Sequence, residues 1–485
     1  MHAGDALNYL SNVRPSFRQL RWQEMEMYAF IHFGMNTMTD REWGEGHEDP
    51  ALFTPGNVDT DQWMRALKDA GMTGVILTCK HHDGFCLWPS AYTDHSVASS
   101  PYQGDIVAQA SESARRFGLK FGVYLSPWDR TEATYGQGVA YDDFFVNQLT
   151  ELLTNYGPIF SVWFDGANGE GENGKVQYYD WERYFTLIRA LQPEAVINIC
   201  GPDVRWCGNE AGVARPAEWS VLPAELQSAE RTQEHSQKAD DGTFSREVKS
   251  TDEDLGSRAA LANYDGPLVW YPAEVDTSIR TGWFHHAAED EHVRTPDELF
   301  AIWRGSVGGN CSLLLNVPPT RKGVLAQPDI DSLKGLGDLV RDFYARRIST
   351  VTVDASTSTV PDTLTAQAGT PFDDSYDPLI PALLTAPYWQ PDEGDSAPTL
   401  TISFDRSTPV SAVIIREAIA EGQRIDRVTV RGILPDGSTV DLGGANSVGY
   451  QRIISFDPVE LASITVSVEQ SRGSVRLAHV WPVSA

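Results

Sequence analysis

Along the first 320 residues, short apolar runs alternate with longer stretches of helical period. The runs are rich in β-branched and aromatic residues and fall at Ala29–Gly34, Gly74–Thr78, Lys120–Leu125, Ile159–Phe164, Ala195–Cys200, Leu268–Ala273 and Ser312–Val317. An eighth is expected near Trp283–His286. Each is nearly continuously apolar rather than alternating, as in parallel strands covered on both faces. Between them, Trp63, Leu67 and Ala70 recur at helical spacing, as do Tyr141, Phe145, Leu149 and Leu152, and Trp181, Tyr184, Phe185, Ile188 and Leu191. About eight strand–helix units over roughly 340 residues predict an α/β fold of the (β/α)8 TIM-like barrel type rather than an open sheet. No glycine-rich turn of dinucleotide-binding type follows the first run, which weakens a doubly wound alternative.

Near Arg346 the texture changes to Ser, Thr, Pro and Asp with scattered valines. The segments TLTISF, VSAVIIREAI, RIDRVTVRGIL, STVDLG, YQRIISF, SITVSVE and RLAHVWPV then follow, separated by turn signals. That density of short strands predicts a C-terminal antiparallel β-sandwich. The expected division is a barrel over residues 1–346 and a sandwich over 347–485.

Composition narrows the partners. The chain has 485 residues, and 38 Lys plus Arg against 67 Asp plus Glu give a formal charge of -29. Such a surface repels phosphate backbones and anionic lipid, so neither nucleic acid nor a membrane is an expected partner. No run approaches the ~18 apolar residues of a spanning helix. The N-terminal stretch lacks a basic region followed by an apolar core, so the expected location is the cytoplasm unless a leader has been trimmed. Five cysteines cannot all pair, and neither Cys79/Cys86 nor Cys200/Cys207 has zinc-ligand spacing.

The chemistry collects at one end of the predicted strands. In barrel enzymes the C-terminal strand ends and following loops form the active face. Here they carry His32 with Glu42-Trp43, then His81-His82-Asp83, then Tyr124, Trp128 and Asp129. Asp165 follows at the end of VWFDGA, and Arg205 and Glu210 lie in GPDVRWCGNE. A lone histidine at such a place is ordinarily structural, and Asp165-Gly166 alone reads as a turn in which glycine supplies a positive φ. Four successive strands placing polar and aromatic side chains at the same end point instead to a site.

Three histidines, His32, His81 and His82, would serve a metal-dependent hydrolase, although no His-x-His or His-Glu-x-x-His spacing is present. Aromatic walls with His, Glu and Arg suit a neutral polyhydroxylated ligand, which a non-catalytic glycan-binding protein would also hold. Two carboxyls beside such a ligand would make a retaining glycosidase.

Taken together and in order, FIHFGMNT, EWGEG, KHHDGF, GVYLSPWD, VWFDGA and LLLNVPP resemble the α-L-fucosidases of glycoside hydrolase family 29. GPDVRWCGNE, SIRTGWFHHAAEDE and REAIAEGQRIDRVTV are more similar to the branch acting on α-1,3/1,4-fucosyl linkages of Lewis-type glycans. The resemblance implies double displacement on a fucosylated oligosaccharide, without metal or cofactor, and a sandwich like a carbohydrate-binding module. It implies Asp165 as nucleophile and Glu210 as acid/base, with Glu274 and Glu218 as competitors for the second role. It places His32, Glu42, Trp43, His81, His82, Tyr124 and Arg205 around the sugar hydroxyls, and Trp283 or Phe284 over the C6 methyl.

Asp83 and Asp129 read as turn residues, and Asn316 as fixing a loop. The polar stretch 231–258 would hold the aglycone, with Arg258 as a candidate, or would be a solvated face.

Overall fold

The computed structural model describes residues 10–236, 255–366, 369–370, 372 and 382–485. Most of the predicted polar stretch 231–258 lies outside them. The N-terminal strands are β1 (Met27–Ile31), β2 (Gly74–Lys80), β3 (Lys120–Leu125), β4 (Ser161–Phe164), β5 (Val196–Ile199) and the two-residue β6 (Arg205–Trp206). β7 (Val221–Pro223) and β8 (Leu268–Trp270) follow, then β9 (Ala273–Ser278) and β10 (Cys311–Asn316). Eight of them form one sheet in the order β5-β4-β3-β2-β1-β10-β9-β6, parallel at every pairing. A parallel bridge between Asn198 and Val204 joins its ends, so the sheet closes as a barrel. Helices such as 60–69, 106–116 and 181–191 cover it, each opened by an aspartate (Asp59, Asp105, Asp180) that accepts a backbone N–H of the first turn. Such a cap contributes about 1 kcal/mol.

Two strands differ from the sequence reading. Leu268–Trp270 does not join the barrel but pairs antiparallel with Val221–Pro223. The barrel strand in that region is Ala273–Ser278, and Trp283–His286 is a loop. The eighth place in the barrel is taken by Arg205–Trp206.

Two-residue alternation fixes what faces inward. Tyr28, Phe30, Ile76, Tyr124, Trp163, Val196 and Leu314 meet in one buried cluster within the ring. Continuing each strand by two residues carries Phe30 to His32, Trp163 to Asp165 and Leu314 to Asn316. The same parity on β9 puts Glu274 and Asp276 inside.

The C-terminal region has its own core, including Leu400, Ile402, Val413, Val430, Ile464 and Val480. It is built from β11 (Val351–Ala355), β12 (Thr399–Glu417), β13 (Ile425–Ile433), β14 (Thr439–Ala445), β15 (Arg452–Ser471) and β16 (Leu477–Ser484). The pairs TLTISF/VSAVIIREAI and YQRIISF/SITVSVE, which read as separate strands, are each one long strand. Register shifts at Ser403/Thr408 and Val410/Ala412 divide the β12–β15 pairing, and β11 lies on one half of β12 and β16 on the other. All these pairings are antiparallel, and the bent sheet encloses its core as a sandwich.

Barrel and sandwich are clasped by a buried carboxylate just before β1. Glu26 accepts from Arg416 Nη2 at 2.6 Å and from the hydroxyls of Tyr450 and Tyr344 at 2.7 Å each. Arg258 pairs with Asp426 of the sandwich at 2.6 Å and donates to the Ser471 carbonyl, so its guanidinium is spent between the two units. Trp389 is fully buried in the sandwich core, and all five cysteines are buried and free. Among the described residues no helix is long and apolar enough to cross a membrane.

Candidate active site

The inward parity ends at a cavity of about 580 Å³, its open mouth included. His32, Glu42, Trp43, His81, His82, Asp165, Glu210 and Trp283 all line it. Trp163, Trp206, Asp276 and Ile199 complete much of the wall. Tyr124 reaches the site through Asp165 rather than as lining.

Asp165 sits where a rigid strand stops. Its Oδ1 accepts the Ala167 N–H at 2.7 Å and its Oδ2 the Tyr124 hydroxyl at 3.0 Å. Burial holds the carboxyl above its ordinary pKa, and these two donors pull against that shift. Gly166 is not among the positive-φ glycines. A Cβ there would meet Ser236 Oγ at 2.0 Å, so a larger residue would need that hydroxyl to rotate away, a constraint of close approach rather than of turn geometry.

The histidines are neutral and oriented. Burial pushes His32 and His82 down to about 3, and His81 well below its ordinary value. His32 Nδ1 lies 2.8 Å from Asn316 Oδ1, while the Asn316 amide donates to Ser278 Oγ and the Trp283 carbonyl. That fixes the proton on His32 Nδ1 and leaves Nε2 as an acceptor. His82 Nδ1 lies 2.7 Å from Ser126 Oγ, whose hydrogen goes to the Trp128 carbonyl, so the His82 proton is also on Nδ1. Its Nε2 is 3.9 Å from Asp165 Oδ2. His81 stacks on Tyr124 with ring centroids 5.6 Å apart.

Glu42 anchors one wall. It accepts the backbone N–H of Trp283 at 2.8 Å and of Phe284 at 3.1 Å, and His286 Nε2 lies 2.7 Å away. Trp283 is therefore pinned above the cavity, 5.2 Å from the His32 ring. Phe284 lies behind it, edge-on to both His32 and His81. Trp43 packs edge-on against His82 and Trp128.

The three glutamates that compete as acid have different surroundings. Glu210 is in the cavity wall and its Oε2 accepts Trp283 Nε1–H at 2.9 Å. Burial, then the charges of Asp276 and Asp165, push its carboxyl well above the ordinary value. Glu274 is fully buried beneath the cavity floor, accepting from Trp163 Nε1 and Asn198 Nδ2 at 2.7 Å each and from Tyr28, and burial pushes it up to about 7. Glu218 pairs with Arg205 at 2.5 Å and Arg215 at 3.2 Å. Burial raises its pKa, but the two arginines outweigh it and hold the carboxyl below its ordinary value.

That pairing places Arg205 away from the predicted sugar contacts. Its guanidinium faces Glu218, and it is not part of the cavity wall. Asp129 Oδ1 accepts the Thr131 and Glu132 N–H groups and Asp83 Oδ1 the Phe85 N–H, as turn chemistry predicts, while Asp129 Oδ2 is paired with the buried Lys80 at 2.7 Å. Asp276 and Trp163 were not expected in the site from the sequence. The signal for Asp276 was its two-residue step from Glu274.

His81, His82 and Asp165 offer ligand atoms within 4.8 Å of one another, the one such group of three among the described residues. His32, predicted as a third imidazole ligand, is not part of it. Two neutral imidazoles and one carboxylate form a donor set that zinc accepts.

The α-L-fucosidase family profile matches residues 14–343. α-L-Fucosidase 1 of Arabidopsis thaliana is 37% identical, over 96% of this chain and 86% of that protein. Among solved structures, a candidate α-L-fucosidase from Bacteroides ovatus is 40% identical with a TM-score of 0.83, covering 99% of this chain and 76% of the other. A family 29 fucosidase from Ruminococcus gnavus, solved with fucose, is 28% identical with a TM-score of 0.79, covering 98% and 95%.

Proposed function

Because the chain belongs to the α-L-fucosidase family, a family of glycoside hydrolases, we propose that it releases terminal α-1,3/1,4-linked L-fucose from branched, Lewis-type oligosaccharides with retention. One observation carries the reading. Asp165 and Glu210 line the same cavity in contrasting surroundings, the first supplied with two hydrogen-bond donors and the second ringed by burial and anionic neighbours. Environments that separate two carboxyls in this way support reading one as nucleophile and the other as acid.

In the first step an Asp165 oxygen bonds to the fucose anomeric carbon as the glycosidic C–O bond breaks. Glu210 gives its proton to the departing oxygen. In the second step Glu210, now a carboxylate, takes a proton from water, the water oxygen bonds to the anomeric carbon, and the bond to Asp165 breaks. Two inversions give net retention. His32 and His82 accept hydrogen bonds from sugar hydroxyls at their Nε2 atoms, and Trp283 covers the C6 methyl. The catalytic unit is residues 1–346, and 347–485 is a sandwich of carbohydrate-binding-module type. The separate sandwich core supports that division.

The test is fucose release from a Lewis-type trisaccharide and from an aryl α-L-fucoside by wild type and Asp165→Ala. The variant should lose about 10⁴-fold or more in kcat, and azide should rescue the aryl substrate as β-fucosyl azide. Equal wild-type rates on the two substrates would remove the branch assignment. An active Asp165→Ala would remove the nucleophile assignment.

A further inference from the structure

Of the four indoles that line the cavity, three, all but Trp43, place an Nε1–H on a carboxyl. Trp163 donates to Glu274 at 2.7 Å, Trp206 to Asp276 Oδ1 at 2.9 Å and Trp283 to Glu210 Oε2 at 2.9 Å. Glu274 is committed on both oxygens, the second to Tyr28 and Asn198. Asp276 and Glu210 differ from it in lining the cavity, each with one oxygen beyond its indole bond.

Countercharge is missing around this pair. No arginine or lysine is among the described residues of the cavity wall, and its three imidazoles are neutral. From the loop after β1, Glu42 faces Glu210, but its own partner His286 is shared with Asp40. From β4 comes Asp165, and from β9 Glu274, which stands beside Asp276. After β6, burial pushes the Cys207 thiol up to about 12, so it is neutral, and Arg205 faces Glu218. Asp165, Glu210 and Asp276 thus share one cavity whose described wall carries no cation. Of the three, Asp165 has two protein donors to favour its anion.

We infer that Glu210 and Asp276, two carboxyls of one cavity wall, carry a single proton as a pair, in which Asp276 is a positioning residue whose charge keeps that proton on Glu210. The inference rests on the reading of Glu210 as acid/base. Two like carboxyls in one low-dielectric site titrate as a pair, and the second resists ionisation. When Glu210 protonates the departing oxygen it becomes an anion opposite Asp276. That repulsion favours recovery of a proton from the water that attacks the glycosyl–enzyme. Asp276 ends the cycle in the state in which it began.

The test is the pH profile of kcat/KM for the full chain, comparing wild type, Asp276→Asn and Asp276→Glu. Substrates are an unactivated fucosyl disaccharide and 4-nitrophenyl α-L-fucoside, whose phenolate leaves with little protonation. Asp276→Asn removes the like charge, so Glu210 should lose its proton earlier. The alkaline limb for the disaccharide should move down by about one pH unit, with a smaller effect on the nitrophenyl substrate. Asp276→Glu should move it part of the way back. Thermal melts and turnover of the nitrophenyl substrate identify a variant that has failed to fold. A disaccharide limb that stays in place in folded Asp276→Asn overturns the dyad, with or without a rise in KM. Separately, wild-type disaccharide hydrolysis by Glu210→Gln would overturn the acid/base reading itself.

Discussion

The Tyr124 hydroxyl donates to Asp165 Oδ2 at 3.0 Å, so a residue buried in the barrel's aromatic interior sets the state of a carboxylate at its mouth. Burial raises the Asp165 pKa and this bond lowers it. Tyr124→Phe should therefore raise the pKa further and move the acid limb of kcat/KM to higher pH. A hydrogen bond to a charged group is worth about 1.5–3 kcal/mol, so the rate near neutrality should fall about 10- to 100-fold. A pH–rate profile measures both effects.

His286 makes the loop that carries Trp283 sensitive to alkali. Hydrogen bonding to Glu42, with help from Asp40, outweighs burial and pushes the imidazole up to about 9. A group with a raised folded pKa stabilises the fold fully below its unfolded value of ~6.5. That contribution is lost as pH rises through about 9. Wild-type melting temperature should fall across this interval, and the fall should be shallower in His286→Gln. Melting curves from pH 6 to 10 give the comparison.

Arg205 should matter to stability before it matters to sugar binding. Removing one partner of a buried pair costs about 3–5 kcal/mol, and Arg215 remains 3.2 Å from Glu218 to soften the loss. Arg205→Met should thus be less stable by about 3 kcal/mol in urea titration. The KM for a small aryl fucoside should change less than in His32→Ala.

The metal reading has a direct test at His81, His82 and Asp165, whose ligand atoms cluster within 4.8 Å. Dialysis against EDTA should leave fucose release unchanged, and added zinc should not raise it. Loss on chelation with recovery on zinc would make these three the ligands and return the chemistry to a metal-activated water.

The sequence shows the apolar strands clearly and the polar one poorly. His32, His81, His82 and Asp165 were legible because each ends a run whose burial is visible as unbroken hydrophobicity. β9 reads AEVDTS, and its inward carboxyls stay buried because Tyr28, Asn198, Trp163 and Trp206 donate to them. No hydrophobic pattern marks such a strand, so the neighbouring apolar LVW drew the assignment instead. The loop at Trp283 was misread for the complementary reason: its aromatic residues suggest a strand, but Glu42, far away in sequence, takes its backbone N–H groups. Arg205 and Glu218 are 13 residues apart, and their mutual neutralisation exists only once the chain is folded.

Glu26 has a consequence for how this chain can be taken apart. Two of its three partners, Arg416 and Tyr450, come from the sandwich, and the strand that begins one residue later carries His32 just past its end. A chain ended after residue 346 would bare that carboxylate and the apolar surface that Ala412, Ile414 and Trp481 now cover. The unit that can be transplanted, fused or recombined is therefore the pair, and a shuffled barrel would need a foreign cap offering both a cation and a phenol to the same buried acid.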